Sequence, residues 1–176
     1  MGRKAKWTHP RMLSTTKTLN LVAPNDGDEI YCGGVVQINV TALLEWVNSQ
    51  TLPIIPMPVK IWGTHEGKHE EYVQATDLSR PIIIAEIAPD YRDFVPDISE
   101  DDWISRGYVC IDGHHRLEKA KRMGIEKLPA IVLRMEQHIP FAYIGYDRYV
   151  EYWNRKLQNR EEDAVRWKRR NSVNME

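Results

Sequence analysis

The nine residues Tyr108-Val-Cys-Ile-Asp-Gly-His-His-Arg116 restrict the fold more than any other stretch of the chain. An apolar run ends in Asp112, Gly113 follows, and a polar, helix-type pattern starts at once. Glycine permits a tight turn and a close backbone approach. The order of residue types therefore predicts a strand that delivers Asp112 at its C-terminal end and a helix that begins near His114. The open amides and the positive dipole end of such a helix point to where an anion would sit. Arg116, in the first turn, can fork onto phosphate oxygens, and Lys119 lies one turn further along a neighbouring face. His114 and His115 add donors whose protonation depends on the bound anion. Asp112 conflicts with a phosphate unless something positive mediates, and Mg2+ resolves the conflict because it takes carboxylate and phosphate oxygens together. The plain alternative is a helix capped by Asp112 with Arg116 paired to a surface acid, since strand–glycine–helix turns are common.

Around this turn the pattern reads as α+β. Residues 1–28 lack periodicity and end in Pro24-Asn-Asp-Gly-Asp28, which predicts a loosely held arm. A strand is expected near Ile30–Asn39 with Gly33-Gly34 as bulge or turn, then a short helix capped by Thr41 with Leu43, Leu44 and Val47 on its apolar side. Pro58–Trp62 reads as an edge strand and Pro81–Ile87 as a buried one. An acidic, proline-containing loop leads to the strand Tyr108–Ile111. The helix from His114 ends at Met123, with Gly124 placed for a left-handed cap. Leu128–Arg134 is another strand. From about Asp147 toward Arg170 a long helix carries Tyr149, Val150, Trp153 and Leu157 as one stripe. The expected division is a flexible basic arm (1–28), a nucleotide-binding domain (29–146) and an amphipathic basic helix (147–176).

Composition sets the class. The chain has 176 residues and a net charge of −1, enough length for a real core and no overall pull on nucleic acid. The cations cluster, however, at the start (Arg3, Lys4, Lys6, Arg11, Lys17) and in the tail (Arg155, Lys156, Arg160, Arg166, Lys168, Arg169, Arg170). These basic ends make DNA an expected partner, with Trp167 placed to stack on bases. No apolar run approaches the roughly 18 residues of a membrane span, and no apolar stretch follows the basic N-terminus. A cytoplasmic protein without a membrane partner is expected. Cys32 and Cys110, both among strand-like neighbours, read as two buried thiols.

The segment Ile-Asp-Gly-His-His-Arg-Leu-Glu-Lys-Ala, followed by Met-Gly-Ile-Glu-Lys-Leu-Pro-Ala-Ile-Val, resembles the core of ParB N-terminal domains and sulfiredoxins. It is most similar to the free serine kinase branch, which carries Asp-Gly-His-His-Arg, and the strand after Arg80 fits the same pattern. The resemblance covers about Val59 to Arg134. It implies a ParB/sulfiredoxin-like small mixed sheet with flanking helices, and a cradle of Gly113, His114, His115 and Arg116, with Lys119 beside it, for ATP or another nucleoside triphosphate. Sulfiredoxins carry a catalytic cysteine where this chain has His114, which disfavours sulfinic acid reduction. Partition ParB proteins resemble Gly-Glu-Arg-Arg at this turn and continue into a DNA-binding helix-turn-helix, and this chain has neither.

In the serine kinases a His-Glu pair upstream supplies a catalytic carboxylate. The resemblance thus implies Glu66 as base, with Glu70 as the alternative. The resulting expectation is a Mg2+-dependent enzyme of ATP hydrolysis or phosphoryl transfer, with Asp112 on the metal and Glu66, Asp112 and His115 as catalytic residues. Relatives by fold serve in plasmid maintenance and as nucleases, so activity with or on DNA is a further expectation. The alternative from another class is a non-catalytic ParB-like module that binds DNA or protein. A third reading comes from His65-Glu-Gly-Lys-His69, which satisfies H-E-x-x-H and on a helix would hold zinc, with Glu86 a conceivable third ligand. Gly67 inside the supposed helix, at a cost of about 1 kcal/mol relative to alanine, and the absence of apolar periodicity in the flanks argue against it.

Overall fold

The computed structural model describes residues 6–14, 24–63 and 70–172. In chain order the elements are β1 (Ile30–Gly33), β2 (Val36–Asn39), α1 (Val40–Ser49), β3 (Ile55–Pro58), α2 (Glu70–Ala75), β4 (Ile82–Glu86), α3 (Trp103–Arg106), β5 (Tyr108–Asp112), α4 (His114–Arg122), β6 (Lys127–Leu133), α5 (Met135–His138), β7 (Ala142–Ile144) and α6 (Tyr146–Ser172). The fold is α+β: a small mixed sheet with flanking helices and a long C-terminal helix, α6.

The mixed sheet has the order β3-β6-β4-β5, with β4 parallel to β6 and the other pairs antiparallel. Every residue of β4 is buried, as a strand covered on both faces must be. Its side chains alternate. Ile82 and Ile84 join Leu117 and Ala120 of α4 on one face, while Ile83 and Ala85 meet Leu43 and Val47 of α1 and Tyr149, Trp153 and Leu157 of α6 on the other. The antiparallel sheet β1-β2-β7 extends this second face through Val36 and Ile38. The stripe expected on α6 is fully buried at Tyr149, Trp153 and Leu157 and nearly so at Val150.

Several expected boundaries move. Asn39 rather than Thr41 caps α1, its Oδ1 accepting from the Ala42 amide at 3.1 Å, while Thr41 Oγ1 takes the Glu29 amide at 2.8 Å. The edge strand lies at Ile55–Pro58, ahead of the expected Pro58–Trp62. Prolines fit there because β3 is a sheet edge and pairs only with β6. Cys32 is exposed rather than buried, because the outward position of edge strand β1 falls on it. Cys110 is buried as expected, and burial with the nearby Asp112 carboxylate pushes its thiol up to about 12.

Of the expected arm, residues 6–14 and 24–28 are described. Residues 6–14 are held on the body, not loosely attached. Arg11 reaches a carboxylate that no solvent touches: Glu86, at the end of β4, is 0% exposed. Arg11 forks onto it with Nη1 and Nη2 at 2.7 and 2.8 Å, and also binds Glu136 at 2.8 and 2.9 Å. The amides of Asp90 and Met135 donate to Glu86 at 2.9 and 3.1 Å, and Arg134 Nε stands 3.1 Å away. Asp90 is itself buried and bound twice by Arg106, at 3.0 and 2.6 Å. Around Arg11 the chain backbone is fastened to α6. Trp153 Nε1 donates to the Arg11 carbonyl at 2.8 Å, and Asn154 exchanges two hydrogen bonds with Leu13 at 2.9 Å each. A buried carboxylate stays charged only where such donors surround it.

Two outcomes follow from this knot. Arg11→Ala leaves Glu86 short of its closest cation and lowers the unfolding free energy by about 3 kcal/mol, read from the urea midpoint at unchanged slope. An undiminished midpoint would show that the arm is not needed to hold the fold. His138 is fully buried, donates from Nε2 to the Glu86 carbonyl at 2.7 Å, and has no partner for Nδ1. Burial lowers its pKa below the usual 6.5, although Glu86 and Glu136 pull it upward. The unfolded chain thus binds this proton first, so stability is full above about pH 6.5 and declines as the pH falls toward the folded pKa. In His138→Gln the decline between pH 6.5 and 5 should flatten in pH-resolved denaturation. An unchanged slope would assign the proton elsewhere.

Candidate functional site

The expected turn sits at the other end of the same strands. In the β4–β5 register Glu86 faces Tyr108 and Ile83 faces Asp112, which separates knot and turn by three residues, about 10 Å. Gly113 is the N-cap of α4 with φ +109. A β-carbon there would stand 2.5 Å from Ile82 Cγ2 and 3.0 Å from Arg116 Nη2, so the backbone runs directly against the sheet and beneath the guanidinium. As the N-cap, Gly113 has no side chain with which to make a cap bond. The Gly113 carbonyl receives the Leu117 amide at 3.0 Å, so the amides that precede Leu117 are the ones a helix start turns to partners outside the helix.

Arg116 is the most enclosed cation at this site, 6% exposed. Its Nη2 donates to Asp112 Oδ2 at 2.7 Å, one helical turn away. Its Nε is buried without a hydrogen-bond partner, and so is Nε2 of His115. A buried polar atom left unpaired costs about 1–3 kcal/mol, and both of these belong to side chains in the first turn of α4. Arg116 thus meets the plain reading of the motif through Nη2, which lies over the glycine and pairs with Asp112, while its buried Nε stays without a partner.

The structure brings Asp112, Gly113, His114, His115 and Arg116 together and directs Lys119 elsewhere. Its Nζ donates to the carbonyls of Gln74 and Thr76 at 2.9 and 2.8 Å, closing the C-terminal end of α2. Residues 115, 119 and 122 form one stripe on α4, and all three meet α2: His115 faces Tyr72, Lys119 holds the carbonyls, and Arg122 Nη1 donates to both carboxylate oxygens of Glu70 at 2.6 and 2.7 Å. Glu70 is therefore engaged in docking α2. Glu66, like His65 and His69, lies outside the described residues. Tyr72 escaped the sequence reading because a lone tyrosine in a polar segment has no signature before the α2–α4 packing is known.

The other expected groups fare differently. Glu86 is fully surrounded by donors and cannot serve as a zinc ligand without dismantling the knot. Among the described residues no group of three or more His, Cys, Asp or Glu converges as a metal site. Of the basic ends, Arg11 is consumed by Glu86, and Arg160 donates to the Pro89 carbonyl at 2.8 Å. Arg166 pairs with Asp163 at 3.1 Å, and Trp167 Nε1 binds Asp97 at 2.5 Å. Lys168, Arg169 and Arg170 remain exposed at the end of α6. Among the described residues no helix is long and apolar enough to cross a membrane.

Compared with known proteins, the chain matches no family model, and no curated protein or solved structure matches it.

The turn depends on the missing β-carbon. Gly113→Ala combines a left-handed backbone, about 1–2 kcal/mol, with the clash on Ile82, and should lower Tm by about 5 °C or more. Gly124→Ala is the control, with positive φ but nothing within 4 Å of the added atom. Equal losses for the two variants would mean that the contact with Ile82 does not constrain the turn.

Proposed function

We propose that this chain is a nucleotide-binding enzyme of the ParB/sulfiredoxin type, which hydrolyses ATP or transfers its terminal phosphoryl group with Mg2+. One observation carries the reading. The helix α4 opens on a glycine with no room for a side chain, and in its first turn Arg116 Nε and His115 Nε2 are buried without partners. That set fits an anion of several oxygens: amides for one face of the phosphates, Arg116 for their charge, His115 for a further contact. The resemblance of Ile111–Ala120 to the free serine kinase branch supports a nucleoside triphosphate as the anion.

The residues present fit Mg2+ to the extent that Asp112 offers a carboxylate at the end of a strand, and Mg2+ takes most of its remaining ligands from water and phosphate. When bound, the ion would neutralise charge on the phosphates. Asp112 would hold it, and Arg116, already fixed against Asp112, would keep the carboxylate oriented. Gly113 and the following amides would fix the phosphate chain in register, which is the larger part of catalysis where phosphoryl transfer is governed by positioning and electrostatics. His115 can hold or pass a proton at Nε2. Glu66 is the base that the resemblance implies.

The second reading is a non-catalytic module that keeps nucleotide without turning it over. It is favoured by the Arg116–Asp112 pair, which already satisfies the carboxylate without a metal. In that reading Lys168, Arg169 and Arg170 offer a cationic end to a nucleic-acid backbone, which requires an affinity that falls steeply with salt.

Phosphate release from ATP with Mg2+ separates the two. Turnover in the native chain, lost in both Asp112→Ala and Arg116→Ala, is the expected result. Binding at the native level without release establishes the module. Retention of nucleotide binding in Arg116→Ala removes the site from the proposal altogether.

A further inference from the structure

We propose that the cleft between the end of α6 and the loop after β4 is a seat for the phosphodiester backbone of a nucleic acid. The inference rests on the cationic end named in the second reading, and it holds whether or not the turn takes nucleotide.

The cleft has a volume of about 490 Å³ and is lined by Tyr91, Val95, Asp163, Arg166, Arg169 and Arg170. Both of its walls are fixed. Three side chains of α6, spaced three and four residues apart and so on one helical face, tie the helix to the loop. Arg160 donates to the Pro89 carbonyl at 2.8 Å, Asp163 accepts the Tyr91 hydroxyl at 2.7 Å, and Trp167 Nε1 donates to Asp97 at 2.5 Å. The loop closes on the buried Val95, whose amide reaches the Tyr91 carbonyl at 2.9 Å. In the last turn of α6, Asn171 donates to the Trp167 carbonyl at 3.0 Å and Ser172 to that of Arg169 at 3.1 Å. The arginines therefore stand on a backbone that a ligand does not have to order.

The charge on this wall is unbalanced. Asp163 is spent on Tyr91 and Arg166, and Arg166 also stands 3.7 Å from Glu162. Arg169 and Arg170 are exposed, and among the described residues no carboxylate lies within salt-bridge distance of either. Arg160 is partly buried, its guanidinium 4.4 Å from the centre of the Tyr91 ring. Burial lowers its pKa from the ordinary arginine value, as it does for a cation short of a counter-ion. Attraction to the helix dipole accounts for cations in a last turn. It does not account for three of them along an open cleft with a fourth enclosed beside it.

The chemistry of the wall indicates the ligand. A guanidinium offers forked donors that match phosphate oxygens in pairs. Each cation set against a nucleic-acid phosphate also releases condensed counter-ions, the main source of sequence-independent affinity. The arginines are open to solvent on their outer side, with the Arg166 side chain 66% exposed. A small ligand is enclosed over most of its surface in its pocket, whereas a polymer backbone is held from one side. Because the chain as a whole carries a charge of −1, attraction for a polyanion has to be local to such a face.

Fluorescence anisotropy of a labelled DNA duplex of mixed sequence, across a salt series and without nucleotide, tests this. The native chain is compared with Arg169→Gln/Arg170→Gln and with Arg169→Lys/Arg170→Lys. The control is Arg148→Gln/Arg155→Gln, which removes the same charge from exposed positions of α6 that do not line the cleft. Loss of the two cleft arginines should weaken binding by about tenfold or more and make the slope of log affinity against log salt shallower by about two. The lysine pair should keep the slope, and the control pair should stay near the native affinity. Equal losses in the cleft and control pairs would make the attraction diffuse and overturn the cleft. So would a native chain that ignores the duplex, or one that binds polyglutamate or inorganic phosphate in its place. With no nucleotide present, none of these results bears on ATP turnover at the turn.

Discussion

The carboxylate of Glu86 has no water around it, and the arrangement of the molecule answers that fact. A charge at the end of a fully buried strand must be surrounded by donors, and they come from three places: Arg11 from the N-terminal segment, the Asp90 amide from the loop after β4, and Arg134 and the Met135 amide where β6 passes into α5. Each donor fixes where its segment stops. Tyr149 of α6 donates to the neighbouring Ile87 carbonyl at 2.7 Å and His138 to that of Glu86, so the backbone at this point is held as firmly as the side chain. Asp90, gathered beside it, is most affected by burial, which would raise its pKa, yet Arg106 and the surrounding donors hold it below the ordinary carboxylate range. Such a cluster specifies an arrangement more than it adds net stability, since desolvation consumes much of the attraction between buried ions.

The same two strands that end in the knot begin and end the candidate site. β4 starts at Ile82, whose side chain leaves no room beyond Gly113, and β5 finishes at Asp112. The sheet therefore separates two kinds of polar chemistry by the length of a short strand. At one end every donor around the Glu86 carboxylate is spent, and His138 Nδ1 alone lacks a partner. At the other, Arg116 and His115 keep nitrogens unspent. A buried polar atom without a partner is where a ligand gains most, because it supplies what the protein withholds.

What could be read from the residues was local. Strand, glycine and helix at 108–122 follow one another in sequence, and Gly124 marks the end of α4 with φ +68, so that element was legible almost residue by residue. The stripe of α6 was legible because its period is helical. What failed was long-range. Arg11 and Glu86 are 75 positions apart, and nothing near Arg11 distinguishes it from a solvated cation. The one available signal was Glu86 itself, a carboxylate at the end of Ile-Ile-Ile-Ala, which demands a cation from somewhere. Lys119 misled for a related reason: helix spacing placed it near the turn, but the carbonyls that claim it belong to α2, whose docking no local pattern reveals.

Residues 7–14 and α6 meet across long stretches of chain: Leu13 and Asn154 are 141 positions apart, and Trp7 and Glu161 are 154. During synthesis the early segment leaves the ribosome long before the helix that will grip it exists. At about 5–20 residues per second, that interval lasts on the order of ten seconds. In its later half, once Glu86 has been made, Arg11 and Glu86 can meet, but Trp153 and Asn154 cannot yet close over them. The clasp is therefore the last part of the molecule to lock, and its closure marks the point at which the nascent chain has acquired its whole interior.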